Sequence, residues 1–254
     1  MTVLRLALQS LSNRWITALL TVFAIAVSVV LLLGVEKVRT GARSSFANTI
    51  SGTDVIVGAR SGDIQLLLYS VFRIGNAPNN MTWRSYEQLA GRKNVAWSVP
   101  LSLGDSHRGF RVLGTTNAYF EHYKYRDKQR LKFAAGQIFN DMFDAVIGSD
   151  VADELGYKVG DKIVVAHGIG EIDASKHDNM PFRVAGVLSK TGTPVDDTVH
   201  VTLGAIEAIH LGWKDGAANS SRRFSPDEVR DMKLQPKAIT AALYGLKSRF
   251  SVFK

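Results

Sequence analysis

Charged residues punctuate most of this chain, but none falls between Arg14 and Glu36. The stretch Trp15–Val35, WITALLTVFAIAVSVVLLLGV, runs for 21 residues without a charge or a proline. At about 1.5 Å per residue a helix of that length spans roughly 31 Å, the depth of a bilayer's hydrocarbon core. Lipid offers no partner to a backbone N–H or C=O, so a lone apolar run closes its hydrogen bonds internally, as a helix. Ile16, Val22, Ile25, Val27, Val29 and Val30 weigh only weakly against a helix. A cleaved signal peptide has a shorter apolar core and a small-x-small site. Here Gly34 leads into Val-Glu-Lys-Val-Arg, which favours a retained anchor. No second run of 18 apolar residues occurs, so the pattern predicts a single crossing.

Ahead of the span, Leu4, Leu8, Leu11 and Trp15 recur at helical spacing, with Arg5, Gln9, Ser12 and Asn13 on other faces. They fit either a short amphipathic helix in the interface or an early start of the membrane helix. Within the span, Ala24 and Ser28 form a small-xxx-small pair that would let another helix approach closely. Residues 36–50 extend the helix until Ser51-Gly52 breaks it, and Asp54–Val57 reads as a strand. Leu66, Leu67, Leu68, Tyr69, Val71 and Phe72 then form a dense apolar segment, closed by Gly-Asn-Ala-Pro-Asn-Asn. It reads as a core element. The alternative is a surface in which Leu67, Tyr69, Phe72 and Arg73 face a partner or the membrane.

Thr82 caps a short helix that Gly91 ends. Strands are predicted over Val95–Leu103, interrupted by Pro100, and over Gly109–Gly114, with Gly-Asp-Ser-His as the turn between them. Tyr119–Leu131 mixes basic and aromatic residues, a combination that can bind single-stranded nucleic acid. Glu121, Asp127 and neutral surroundings favour a solvated helix instead. AVIGSDVADELGYKVGDKIVVAHG reads as strand, helix, glycine stop, turn and strand. Ser149 or Asp150 caps the helix, Gly156 ends it, and Lys158–Asp161 turns into the strand Lys162–Ala166. Further strands fall at Phe182–Leu188 and Thr198–Thr202, then a helix at Leu203–Leu211. The predicted class is α+β: one N-terminal transmembrane helix, then a mixed α/β domain.

Charge adds a constraint. The net +8 is concentrated at the ends: +4 in residues 1–43, +5 in residues 222–254, and −1 between them. That distribution suits segments near anionic headgroups and gives the body no nucleic-acid-binding field. The basic residues flanking the span nearly balance, so charge alone does not orient it. Cysteine is absent, which excludes disulfides and thiolate metal sites.

Enzyme chemistry finds little support. The chain has no GxxxxGK[ST] loop, no GxSxG elbow and no HExxH pair. Asp173, His177 and Asp178 cluster, but a lone histidine between carboxylates in a polar stretch reads as a solvated loop. Asp196-Asp197 reads as turn capping, and no cofactor is expected.

Three blocks, LRLALQSLSNRWITALLTVFAIAVSV, AVIGSDVADELGYKVGDKI and FRVAGVLSKTGTPVDDTVHV, resemble the MacB/FtsX-like permeases of ABC transporters. The middle block is the most specific, and the resemblance runs from about residue 3 to about residue 250. It implies a cytoplasmic amphipathic helix (1–14), a transmembrane helix (15–35), its extension (36–50), a periplasmic core domain (51–221) and a basic segment returning to the membrane (222–254). Three further membrane helices would follow in such permeases, so this chain is expected to be either the N-terminal part of one or a shortened relative. The implied partners are a cytoplasmic ABC ATPase, a second permease subunit, the bilayer and periplasmic or outer-membrane proteins, with no nucleic acid. The implied place is the bacterial inner membrane, N-terminus in the cytoplasm. Such permeases carry the motion of ATP-driven closure outward mechanically. The alternative is a membrane-anchored periplasmic interaction module that works without an ATPase.

Overall fold

The computed structural model describes residues 5, 9–10, 12–167, 180–211, 213–214, 217–218, 224–232 and 234–248. Leu4, Leu8 and Leu11, and the cluster Asp173, His177 and Asp178, lie outside them. The chain divides into two units, Met1–Ala47 and Asn48–Lys254.

The first unit is dominated by helix α1 (Trp15–Thr49), whose last residues belong to the second. Its apolar side chains have no protein cover: Val30 is 67% and Leu32 70% exposed. Two of its hydroxyls bond within the helix: Thr21 Oγ1 donates to the Thr17 carbonyl (2.9 Å) and Ser28 Oγ to that of Ala24 (2.8 Å). An uncharged helical stretch that presents apolar surface all round, as Trp15–Val35 does, suits lipid.

The second unit begins with β1 (Val55–Gly58), α2 (Asp63–Ser70), β2 (Met81–Thr82), α3 (Trp83–Ala90), β3 (Val95–His107) and β4 (Phe110–Thr115). Then come α4 (Ala118–His122), β5 (Lys124–Tyr125), β6 (Gln129–Arg130), β7 (Phe133–Gly136), β8 (Asp144–Ile147) and α5 (Ser149–Leu155). β9 (Lys162–Ile163), β10 (Ala166–His167), β11 (Phe182–Leu188), β12 (Thr198–Thr202) and α6 (Leu203–Ile209) follow. The chain continues through β13 (Trp213–Lys214), β14 (Ala217–Ala218), α7 (Pro226–Arg230), β15 (Ala238–Ile239) and β16 (Ala241–Leu246).

The main sheet runs β1-β16-β3-β4-β12-β8-β11-β7, with β10 on β3 and β9 on β11. β4–β12 and β8–β11 are parallel and β8–β12 antiparallel, so the sheet is mixed. Its central strands are buried on both faces. Alternation sends Ala145, Ile147, Val199 and Val201 toward α5 and α6, and Val146 and Leu113 toward Tyr119, Phe120 and Tyr123 on the opposite face.

Several elements differ from the sequence pattern for identifiable reasons. β3 continues through Pro100 and through Gly104–His107, where a turn was predicted. Pro100 is tolerated because β4 ends at Thr115, leaving only β16 paired at that position. The Gly104-Asp105 step is taken up as a register shift against β4. Tyr119–Leu131 is not one solvated helix: a five-residue helix, α4, gives way to the hairpin β5–β6. The helix α5 is capped by neither Ser149 nor Asp150. Gly148 is its N-cap, and the amides of Asp150 and Val151 donate to the Asp196 carbonyl at 3.0 and 3.3 Å. Gly156 ends it in the left-handed conformation, φ 69°, as its position predicts. The largest difference is at the C-terminal side. Residues 241–246 lie inside the sheet, between β1 and β3, and Ala241–Tyr244 are buried. That part of the basic segment belongs to the folded domain.

Candidate functional site

Three places in the molecule could carry function: one face of the span, the domain-side end of α1, and the loops around α5.

On the span, Thr17, Leu20, Thr21, Ala24, Ser28 and Leu32 line a shallow groove along one helix face. Ala24 and Ser28 both lie in it. The Thr21 and Ser28 hydroxyls in the groove bond back to their own helix.

At its other end α1 is finished from within the domain. A helix leaves its last carbonyls without intrahelical partners. Here the buried Tyr123 hydroxyl donates to the Thr49 carbonyl at 2.5 Å, and Thr49 is itself buried. Burial pushes the Tyr123 phenol well above its usual range, so it remains a donor. The Ser51 amide then donates to the Lys124 carbonyl (2.8 Å), and the Lys128 amide to Ser51 Oγ (3.0 Å). Behind Tyr123, Tyr119 stacks on it with centroids 4.8 Å apart, and the Tyr119 hydroxyl meets the Arg73 guanidinium at 3.5 Å. His200 faces the same rings, 5.1 Å from Tyr119. Its Nδ1 pairs with the Val146 carbonyl at 3.0 Å while Nε2 has no partner among the described residues. Burial first, then the Arg73 charge, lowers its pKa to about 3, so it is neutral.

The segment around α2 divides in two. Tyr69 and Arg73 are buried, Leu67 and Phe72 half-buried, while Ile64, Leu68 and Ile74 are exposed. Tyr69 and Arg73 therefore serve the core, while Leu67 and Phe72 stay partly exposed beside Ile64, Leu68 and Ile74.

Around α5, Asp196 is fully enclosed and accepts from the Thr191 amide (2.9 Å), the Thr191 hydroxyl (2.8 Å) and the Gly192 amide (2.7 Å). That is turn chemistry with no free lone pair aimed outward. Lys190 pairs with Asp150, and burial raises the Asp197 pKa with help from Asp150 and Asp196. A cleft lined by Asp141, Phe143, Arg183 and Arg230 is likewise self-paired: Arg183 binds Asp144 at 2.9 Å and Arg230 binds Asp141 at 3.0 Å. Among the described residues, no three His, Asp or Glu side chains are placed to hold a metal ion. The Tyr123–Thr49 bond, between positions 74 apart, was not anticipated from sequence, since nothing local in either residue announces it.

The class these features define is an α+β domain behind an apolar N-terminal helix long enough to cross a membrane. The pattern of the MacB-like periplasmic core domain matches residues 18–241, and the chain belongs to that family, found in permeases of ABC-type transporters. Solved structures similar to it include the extracellular domain of the noncanonic ABC-type transporter YknZ from Gram-positive bacteria. That domain is 14% identical over 69% of this chain and 78% of its own, with a TM-score of 0.42. Another is the periplasmic region of MacB from Actinobacillus actinomycetemcomitans, 12% identical over 80% of each chain, TM-score 0.41. No curated protein matches the chain. A periplasmic domain family carried on an apolar N-terminal helix indicates an inner-membrane protein with its domain in the periplasm.

Proposed function

We propose that this chain is the N-terminal part of an ABC-transporter permease subunit whose role is mechanical. In this reading the N-terminus is cytoplasmic, a cytoplasmic ABC ATPase hydrolyses ATP, and α1 carries the resulting motion outward to the domain. A second permease subunit packs against the span through the Thr17–Ser28 face. The observation that carries the reading is the family match over residues 18–241, which takes in both the apolar helix and the domain. The Tyr123 hydroxyl on the Thr49 carbonyl supports it, because motion arriving along a helix reaches a domain only if the helix's final residues are held there.

The test is purification of the native protein from source-cell membranes in mild detergent, with identification of what accompanies it. An ATPase carrying a P-loop, recovered in stoichiometric amount, and ATP-dependent change in proteolysis of the domain are the expected results. Recovery of the protein without an ATPase would leave the anchored interaction module as the function.

A further inference from the structure

The hairpin β5–β6 carries features that the fold does not require. Lys124, Arg126, Lys128, Arg130 and Lys132 recur at every second position, and Asp127 is the one acid among residues 124–132. Lys124 and Arg130 are register partners, so two like charges stand directly opposite each other. Such pairs destabilise a β ladder. Arg126 and Lys128 both hold left-handed backbone, φ 44° and 61°, where glycine or asparagine would sit more easily. None of the five basic side chains has an ion-pair partner among the described residues, whereas Arg183, Lys190 and Arg230 each pair with a carboxylate.

The frame beneath these charges is firm. Tyr125 and Leu131 are buried, Ser51 ties β5 to the tip, and the Ser189 amide donates to the Lys132 carbonyl at 2.8 Å. The cations are therefore held on a fixed backbone. A like-charge pair, a strained tip and unpaired cations together form a local conflict with no structural gain, and such conflicts concentrate at functional sites.

We propose that this hairpin is a docking surface for an acidic segment of another protein. The partner must be anionic, since the only charge that Lys124, Arg126, Lys128, Arg130 and Lys132 leave uncompensated is positive. It is not a single-stranded nucleic acid, because Tyr119, Phe120, Tyr123 and Tyr125 are all buried and leave no ring on which bases stack. Arg130 is exposed and Lys124 half-buried on the strand face opposite the buried Tyr125, and Arg126–Lys128 form the tip. A set of charges wrapped over a tip is met by a polypeptide that can curve round it, more fully than by a flat plane of headgroups. Docking would relieve the Lys124–Arg130 repulsion, so the energy of the conflict is returned on binding.

The experiment uses the full chain in nanodiscs of zwitterionic lipid, with a fluorescein-labelled octaglutamate peptide as probe and anisotropy as readout. The quadruple variant K124Q/R126Q/K128Q/R130Q is compared with R84Q/R92Q/K93Q/K247Q, which removes four charges elsewhere, all exposed. The hairpin set is expected to weaken binding about tenfold, equivalent to about 1.4 kcal/mol, and the control set less than about twofold, with both effects shrinking as salt screens them. Equal weakening by the two sets, or no binding at low salt, would overturn the proposal. So would hydrogen-exchange protection of residues 124–132 that appears only in anionic-lipid nanodiscs, which would assign the surface to headgroups. Arg130→Glu supplies an independent arm. Facing Lys124, it should raise the thermal midpoint while weakening peptide binding; a midpoint that falls would remove the conflict on which the proposal stands.

Discussion

Two apolar segments of this protein meet opposite fates. The run Trp15–Val35 forms part of one helix and leaves its valines and leucines uncovered, while strands β8 and β12 bury nearly every side chain they carry. Both are rich in β-branched residues, so propensity does not separate them. What separates them is where the backbone finds its hydrogen bonds. β8 has β12 on one side and β11 on the other. A lone run with no strand beside it must bond to itself, and only the helix does that. The solvent that each segment was made for follows from this.

Substitutions that treat the two segments alike should break the comparison most sharply. Ile147→Ala, at a fully buried position of β8, should cost the domain about 4 kcal/mol, whereas Leu31→Ala in α1 should leave domain unfolding unchanged; urea unfolding followed by tyrosine and tryptophan fluorescence would compare them. A matched pair of glycines comes next. A Cβ at Gly148 would overlap the Asp196 carbonyl, while one at Gly34 meets nothing within 4 Å. Gly148→Val should therefore destabilise by about 3 kcal/mol and Gly34→Val by nothing measurable in the same assay.

Acid should also tell the segments apart. His200 takes a proton near pH 6.5 in the unfolded chain but only near pH 3 when folded, so the unfolded state binds more protons between those values. Stability is then full above about pH 6.5 and falls by about 1.4 kcal/mol per pH unit below it. His107, lowered by burial, adds in the same sense. His200→Gln should flatten the profile of unfolding midpoint against pH, and a slope unchanged by the substitution would remove His200 as its source. Insertion of Trp15–Val35, which holds no titratable side chain, should not change over that range. The smallest effect is expected from Tyr123→Phe. It leaves the Thr49 carbonyl without its donor, costs about 1 kcal/mol, and should speed amide exchange at Ser51 and Lys128 before it touches the central strands.

Legibility in the sequence followed the range of the interactions. The span was readable because its fate depends on a contiguous run. The block from Ala145 to Ile163 was readable because Gly156 and the Lys158–Asp161 turn act on their neighbours. Residues 119–131 were misread as a helix, although basic residues at every second position from Lys124 to Lys132 carried a strand's period. β16 looked like a tail because its strandedness depends on β1 and β3, nearly 190 and 140 residues away in sequence. On the span, Ala24 and Ser28 were visible as small residues at helical spacing. Tyr123 and His200 were not, because their partners at Thr49 and Val146 come together only once the sheet has formed.

The pairing of β1 with β16 sets how the domain answers tension. Val55 lies opposite Tyr244, so the chain enters and leaves the sheet side by side at the same end of one antiparallel ladder. A pull on those two ends opens the ladder as a zip, loading one rung at a time, whereas opposed ends would load all rungs in shear. The first rungs are the Asp54 amide on the Tyr244 carbonyl at 3.0 Å and the Leu246 amide on the Asp54 carboxylate at 2.8 Å. Under load the domain should part there first, at low force, and re-close from the same point when the pull is released.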